Sequence, residues 1–269
     1  MNKIIKHFES RYALTFGEVS ILHIGGKELG KGIRDTGFST EELIMIRDNF
    51  ISKKLEKCVE YISISDNLPK ELRCDNEAGV LIIRSNNSIN NTIPISKDFA
   101  DRLYKEQSNI EYDAKYWDTR RRSTLNKRAR KNIVFGKDEI IHSDDYKQYS
   151  IKAFRNLPEL NKLKKLLSKI FGKRAKNLNA EGNHYHHDKS RIGYHGDSER
   201  KIVICISLGK SSILRYNWRL PGSSEHTLKP ITIILNHGDI YIMSEKATGF
   251  DWRKRSKVRV VHGAGYKMN

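Results

Sequence analysis

His195 and Asp197 are two potential metal ligands separated by one residue, just before the apolar run from Ile202 to Leu208. Residues i and i+2 of an extended chain point to the same side. An imidazole and a carboxylate at this spacing can therefore occupy adjacent positions on one metal ion. With a second histidine they would form a two-histidine, one-carboxylate iron site, which leaves three positions open for other ligands.

A His-x-Asp pair is common, and its surroundings decide how specific it is. Asn183 and Tyr185 precede the pair across a glycine-bearing segment, and Glu199 follows Asp197 by two residues. Farther along, the segment 235–243 contains a His-Gly-Asp turn and ends in an apolar run. The ordered series is more specific than any one of its parts.

Taken in order, these segments resemble the AlkB-like Fe(II)/2-oxoglutarate dioxygenases, including divergent members from large DNA viruses and some microbes. The shared pattern is N-x-Y at 183–185, I-G-x-H-x-D-x-E at 192–199, S-L-G at 207–209 and H-G-D at 237–239. The resemblance covers roughly residues 155–262. It implies a double-stranded β-helix, or jelly roll, that uses Fe(II), 2-oxoglutarate and O2 and releases succinate and CO2.

The resemblance also implies roles for individual side chains. His195 and Asp197 would ligate iron, and Asn183 and Tyr185 would hydrogen-bond 2-oxoglutarate. Glu199 matches a position whose carboxylate can face the substrate, and Tyr194, directly before His195, is a further candidate for substrate binding.

The chain departs from the family pattern near its C-terminal end. Where the second histidine is expected, shortly after Trp252, the sequence has three basic residues, so His262 is the candidate third ligand. The family arginine that pairs with 2-oxoglutarate would follow that histidine by nine or more residues, beyond the last residue of this chain. The candidates to replace it are Arg259, Lys267 and Arg255, of which an arginine suits a carboxylate best because it donates two parallel hydrogen bonds.

Residues 184–188 include four potential metal ligands, His184, His186, His187 and Asp188, which suggest an alternative zinc site. The sequence offers no well-spaced ligand elsewhere to complete such a site. We interpret these residues as part of a loop near the mouth of the site. His237, before Gly238, is interpreted as a structural turn residue.

The chain of 269 residues carries a net charge of +18. An excess of this size attracts polyanions, and nucleic acid is the obvious candidate partner. The charge is concentrated in residues 115–132, where eight basic residues accompany one acid. Such a run is often only a solvated surface. The alternative is a phosphate-binding segment with a stacking aromatic, and its candidate contacts are Trp117, Arg120, Arg121 and Arg122.

The sequence also limits where the protein is expected to act. No apolar run reaches the roughly 18 residues of a membrane span, and the charged N-terminus does not resemble a secretory signal. The three cysteines, Cys58, Cys74 and Cys205, are widely spaced and odd in number. We therefore expect an intracellular protein, in cytoplasm or nucleus, with no membrane partner.

The expected fold class is α+β with a mainly β core. Helices are predicted from Ser39 to about Tyr61, from Ser96 to Glu106 and from Pro158 to Ile170, the first opening on a capping-box pattern. From residue 179 onward, short strands and turns predict an antiparallel sandwich or jelly roll, and the family resemblance implies the jelly roll. The expected organisation is an N-terminal α+β region (1–112), a basic connector (113–135) and an oxygenase core (136–269).

The function predicted from these features is an Fe(II)- and 2-oxoglutarate-dependent dioxygenase that hydroxylates or demethylates a modified base in nucleic acid. One alternative keeps the chemistry but acts on a protein side chain. Another is a non-catalytic nucleic-acid-binding protein on a degenerate oxygenase fold, which the altered C-terminal end would favour.

Overall fold

The computed structural model describes residues 8–18, 34–86, 93–224 and 228–265. Within these ranges the chain forms fourteen strands and three α-helices. The helices are α1 (Thr40–Ser52), α2 (Lys97–Ser108) and α3 (Pro158–Phe171). The strands are β1 (Arg11–Gly17), β2 (Val59–Ser63), β3 (Gly79–Ile83), β4 (Lys115–Asp118), β5 (Ser123–Asn126), β6 (Lys131–Gly136), β7 (Ile151–Ala153), β8 (Asn179–Tyr185), β9 (Arg191–His195), β10 (Val203–Gly209), β11 (Ser212–Arg219), β12 (Ile231–Leu235), β13 (Ile240–Met243) and β14 (Arg259–Gly265).

Two facing sheets form the centre of the molecule. The large sheet has the order β2-β3-β13-β10-β1-β8-β6-β7, and the small sheet has the order β12-β11-β14-β9. Neighbouring strands in both sheets are antiparallel except for β6 with β7. This arrangement confirms the predicted jelly roll with its mainly β core.

The large sheet is buried on both faces, as strand β1 illustrates. Tyr12, Leu14 and Phe16 belong to the apolar cluster that includes buried residues of all three helices. Ala13, between them, belongs to a second cluster shared with residues of the small sheet, such as Trp218. The strand therefore alternates between a helix-facing side and an inner side that faces the small sheet.

The helices begin where the sequence predicts. Ser39 caps α1 with a complete capping box, and Ser96 caps α2. The first helix, however, ends at Ser52 instead of near Tyr61, because residues 59–63 pair with β3 as strand β2. No helix in the described part of the chain is long and apolar enough to cross a membrane.

The predicted N-terminal region (1–112) contributes three strands to the large sheet. Strands β1, β2 and β3 come from the N-terminal segment, yet they lie in the same sheet as β8, β10 and β13. The basic connector likewise contains the β4–β5 hairpin and the start of β6. Sheet pairing between segments far apart in sequence joins the three predicted regions.

Candidate active site

His195 and His262 lie side by side on neighbouring strands of the small sheet. They occupy paired register positions on the antiparallel strands β9 and β14, with ring centroids 4.6 Å apart. Asp197 follows β9 directly, and its backbone N–H donates to the Thr248 carbonyl over 2.9 Å. The structure thus brings together the pair and the third residue singled out in the sequence.

The three side chains have the spacing of a metal site. The Nε2 atom of His195 lies 3.4 Å from Oδ1 of Asp197, and Nε2 of His262 lies 3.8 Å from Oδ2. One ligand atom from each residue lies within 4.8 Å of the others. Bonds of about 2 Å to one ion would require only small side-chain adjustments. The donor set of two imidazoles and one carboxylate fits Fe(II).

Hydrogen bonding orients His195, and burial keeps His262 neutral, as binding of a metal requires. Nδ1 of His195 donates to the carbonyl of Gly193 over 2.8 Å, which leaves Nε2 for a metal. Burial, with the nearby charge of His195, lowers the pKa of His262 to about 3, so its imidazole is neutral at pH 7. Burial alone would raise the pKa of Asp197, but Arg200 and the two histidines lower it overall.

Gly196 makes the His-x-Asp turn possible. A Cβ atom at this position would collide with the carbonyl oxygen of Gly249 and lie 2.6 Å from Cβ of Trp252. The residue between the two ligands is therefore restricted to glycine by close packing against the segment that follows Thr248.

A buried arginine organises the acids beside the triad. Arg200 is 5% exposed, and its guanidinium lies 3.0 Å from Glu181, 3.2 Å from Glu199 and 3.9 Å from Asp197. Burial by itself would lower the pKa of Arg200, but these carboxylates raise it overall. The Glu199 carboxylate, predicted to face substrate, is thus held by Arg200.

The triad opens into a cavity of about 260 Å³ between the two sheets. Asn183 and Tyr185 line it from β8, on the same face as Glu181, as the period-2 geometry of a strand requires. Nε of Arg130 donates to Oδ1 of Asn183. Both residues expected to contact 2-oxoglutarate therefore lie in the same cavity as the three potential metal ligands.

A second cavity, of about 310 Å³, continues along the inner face of the large sheet. It shares four lining residues with the first: Arg130, Glu181, Glu199 and Arg200. Its other walls include Tyr116 and Tyr149, with Nζ of Lys127 lying 5.5 Å from the Tyr149 ring centroid. Within the described residues this Nζ atom is buried without a hydrogen-bond partner, and burial lowers the pKa of Lys127 to about 8.

Of the three residues expected to pair with the 2-oxoglutarate carboxylate, the two that the structure describes lie outside the triad cavity. Arg259 donates to the backbone carbonyls of Trp252, Leu220 and Ser223, and it does not line the triad cavity. Arg255 is exposed and also lies outside that lining. Lys267 falls outside the described residues. Arg259 therefore links three backbone carbonyls, because the N–H groups of a buried guanidinium need hydrogen-bond acceptors close by.

Four of the expected substrate contacts do not reach either cavity, and neither does Tyr194. Tyr194 alternates with His195 on β9 and interacts with Arg215 and Asn217. Trp117 alternates with Tyr116 on β4, and Nζ of Lys147 lies 4.4 Å from its ring centroid. The three arginines at 120–122 are exposed in the turn between β4 and β5.

Several residues near the triad were not singled out as site residues from the sequence. Lys127 and Arg130 belong to the basic run, which gave no signal to separate buried from solvated cations. Arg11 lines the triad cavity, and the only sequence signal for it was the alternation of the segment RYALTFG. Period-2 alternation identifies the strand but not its neighbours.

Two other histidines of the described chain, His237 and His184, have structural contacts. Nδ1 of His237 accepts a hydrogen bond from the Gly209 backbone over 2.8 Å, as expected for a turn residue. His184 stacks on Tyr12 at 4.5 Å between centroids, and burial lowers its pKa to about 4. In the described part of the chain, the one group of three or more potential ligands is His195, Asp197 and His262.

Comparisons with known proteins agree with this geometry. Residues 95–250 match the family model of the 2OG-Fe(II) oxygenase superfamily. The chain is also 35% identical over 256 residues to an uncharacterized protein of Acanthamoeba polyphaga mimivirus, and the similarity covers 94% of each chain.

Proposed function

Because the chain belongs to the 2OG-Fe(II) oxygenase superfamily, we propose that it oxidises a modified base in nucleic acid. The family membership makes it a dioxygenase that uses Fe(II), 2-oxoglutarate and O2. The nucleic-acid substrate and the roles of individual residues are the proposal, and they extend the resemblance to AlkB-like enzymes.

In this proposal His195, Asp197 and His262 would hold Fe(II), and all three side chains line the triad cavity. Bound Fe(II), with 2-oxoglutarate and O2, supplies the oxidation of a substrate C–H bond and yields succinate and CO2. The Gly193 carbonyl fixes the His195 ring, and Arg200 keeps the Asp197 carboxylate ionised. The protein thereby orients its ligands before the metal binds.

Asn183 and Tyr185 are proposed to contact 2-oxoglutarate. Both are buried, at 7% and 3% exposure, and both point from β8 into the triad cavity. Since Arg130 occupies Oδ1 of Asn183, the amide NH2 group remains available as a donor to a carboxylate.

The observation that carries the substrate class is the second cavity. Its volume of about 310 Å³ lies at the lower end of the usual range for small-molecule sites. Tyr116 and Tyr149 offer aromatic surfaces on which a planar base can stack. Lys127, Arg128 and Arg130 add cations on the same lining, and these suit the phosphates next to that base.

The adjoining cavities suggest how the substrate reaches the metal ligands. A base stacked in the second cavity would lie next to Glu199 and Arg130, which also line the first. A base in duplex would have to be flipped out, at a cost of a few kcal/mol. If the oxidised carbon is an N-methyl group, one of its C–H bonds is replaced by C–OH with one oxygen atom of O2, while the other oxygen atom enters succinate. The C–N bond then breaks to release formaldehyde, and the hydroxyl proton moves to the base nitrogen.

The test is succinate formation from 2-oxoglutarate with Fe(II), measured across methylated single-stranded and duplex oligonucleotides and a panel of peptides. We expect turnover with a methylated oligonucleotide, and a loss of at least about fivefold in kcat/KM for Tyr116→Ala or Tyr149→Ala, since stacking contributes about 1–3 kcal/mol per base. Trp117→Ala, on the opposite face of β4, is the matched control and should lose less.

Turnover with peptides alone would favour the protein side-chain hydroxylase. Absence of turnover with all substrates, in protein shown to bind iron and 2-oxoglutarate, would overturn the proposed substrate class. A loss in Trp117→Ala as large as that in Tyr116→Ala would contradict the assignment of the second cavity.

A further inference from the structure

Arg11 is a buried cation in the N-terminal strand of the large sheet. Strand β1 lies between β8 and β10, and Arg11 pairs in register with Tyr185. Its side chain is on the inner face with Ala13 and Thr15, and all three line the triad cavity. Arg11 is only 1% exposed, so bulk water does not solvate its charge.

The guanidinium of Arg11 has incomplete hydrogen bonding. Nε donates to Oγ of Ser207 over 3.4 Å. The guanidinium carbon lies 4.7 Å from the Tyr185 ring centroid, an arrangement that leaves the N–H groups free in the guanidinium plane. Within the described residues, Nη1 and Nη2 are buried and have no hydrogen-bond partner. An isolated buried charge is unfavourable, so this site favours an anion that enters the cavity.

We propose that Arg11 binds the distal carboxylate of 2-oxoglutarate, the one remote from the metal-binding keto acid group. This inference rests on the proposed metal site at His195, Asp197 and His262. Two unpaired donors in one plane match the two oxygens of a carboxylate. Strand β1 lies outside the matched family segment of residues 95–250, so the N-terminal segment of this chain would complete the co-substrate pocket.

The other described cations that line the cavity are less suited to this role. Arg200 is surrounded by three carboxylates. Arg130 donates to Asn183 and lies 3.9 Å from Glu181. Arg253 is exposed. Arg11 therefore combines deep burial with free donors.

The experiment is calorimetric titration of 2-oxoglutarate into the full chain loaded with Mn(II), which prevents turnover. Arg11→Met is compared with Arg255→Met and Lys267→Met, which remove two of the three cations suggested by the sequence. We expect Arg11→Met to weaken binding by about 30-fold or more, as for one partner of a buried charge pair, while the other variants change little. The Arg11→Lys variant should recover part of the loss.

A second readout separates recognition from a structural role. Wild type should prefer 2-oxoglutarate to 2-oxobutanoate, which lacks the distal carboxylate, and Arg11→Met should lose most of that preference. The melting temperature of ligand-free Arg11→Met should equal or exceed that of wild type, because an unpaired buried charge is removed.

The outcomes distinguish this inference from the proposed metal site. If wild type binds no 2-oxoglutarate with Mn(II), the proposed metal and co-substrate site fails. If wild type binds and Arg11→Met binds equally well, or if Lys267→Met causes the loss instead, the assignment of Arg11 is overturned.

Discussion

The Nε2 atom of His262 lies 3.8 Å from Oδ2 of Asp197, although His262 is on β14 and Asp197 follows β9. The pairing of β9 with β14 produces this proximity by placing His262 opposite His195. The register of two strands far apart in sequence thus assembles the three potential ligands, with His262 as the third.

His262→Ala should lower Fe(II) affinity by more than about 100-fold, because loss of an outer-shell partner alone costs 10–100-fold. The measurement is anaerobic Fe(II) titration of the purified protein. His186→Gln, in the alternative histidine group, should leave the affinity unchanged. Full Fe(II)-dependent turnover by His262→Ala would show that the triad is wrongly assigned.

Gly196→Ala should distort the metal site, because the added methyl collides with Gly249 and Trp252. We expect about 1–3 kcal/mol of destabilisation, as for other overpacked sites, together with weaker Fe(II) binding. Urea unfolding and metal titration measure the two effects. Gly193→Ala is the matched control, since nothing lies within 4 Å of its added Cβ. Equal stability and equal Fe(II) affinity of Gly196→Ala and Gly193→Ala would contradict the proposed collision at Gly196.

Arg200→Met should destabilise the fold by about 3–5 kcal/mol, because it leaves Glu181, Asp197 and Glu199 without their shared cation. Chemical denaturation at neutral pH measures the change. Arg155→Met removes an exposed ion pair with Asp138 and should change stability by less than about 1 kcal/mol. A small loss of stability in Arg200→Met would indicate that water solvates the three carboxylates.

Binding of single-stranded oligodeoxyadenylate should weaken as pH rises through about 8. Burial lowers the pKa of Lys127 to about 8, so its ammonium is present below that pH and is lost above it. Loss of one charge-assisted contact corresponds to about tenfold in affinity. Fluorescence anisotropy from pH 7 to 9 measures the change. Lys127→Arg keeps its charge and should flatten the profile, and a profile unaffected by this change would exclude Lys127.

Affinity for single-stranded DNA should fall linearly on a logarithmic salt scale, by a slope of about 0.7 per neutralised phosphate. Replacing the exposed Arg120, Arg121 and Arg122 together by alanine should reduce that slope by up to about 2. 2-Oxoglutarate affinity should remain unchanged in this variant. Salt-insensitive binding by wild type would count against a phosphate-contacting surface.

Local patterns predicted a large part of the fold. Helices α2 and α3 lie close to their predicted bounds, because capping residues and apolar periodicity act within a few residues of each other. Helix α1 ends early because residues 59–63 pair with β3. Pairing of this kind depends on residues that the local pattern does not contain.

The sequence by itself determined the jelly roll, the oxygenase family and the placement of His195 and Asp197 on one side of an extended segment. Those features follow from spacing along one strand and from the order of motifs. Only the tertiary structure decided that His262 meets them, that Arg259 is used elsewhere, and that Arg11 and Lys127 point into the cavities. The physical reason is that these contacts depend on strand register and sheet order, which many distant residues set together.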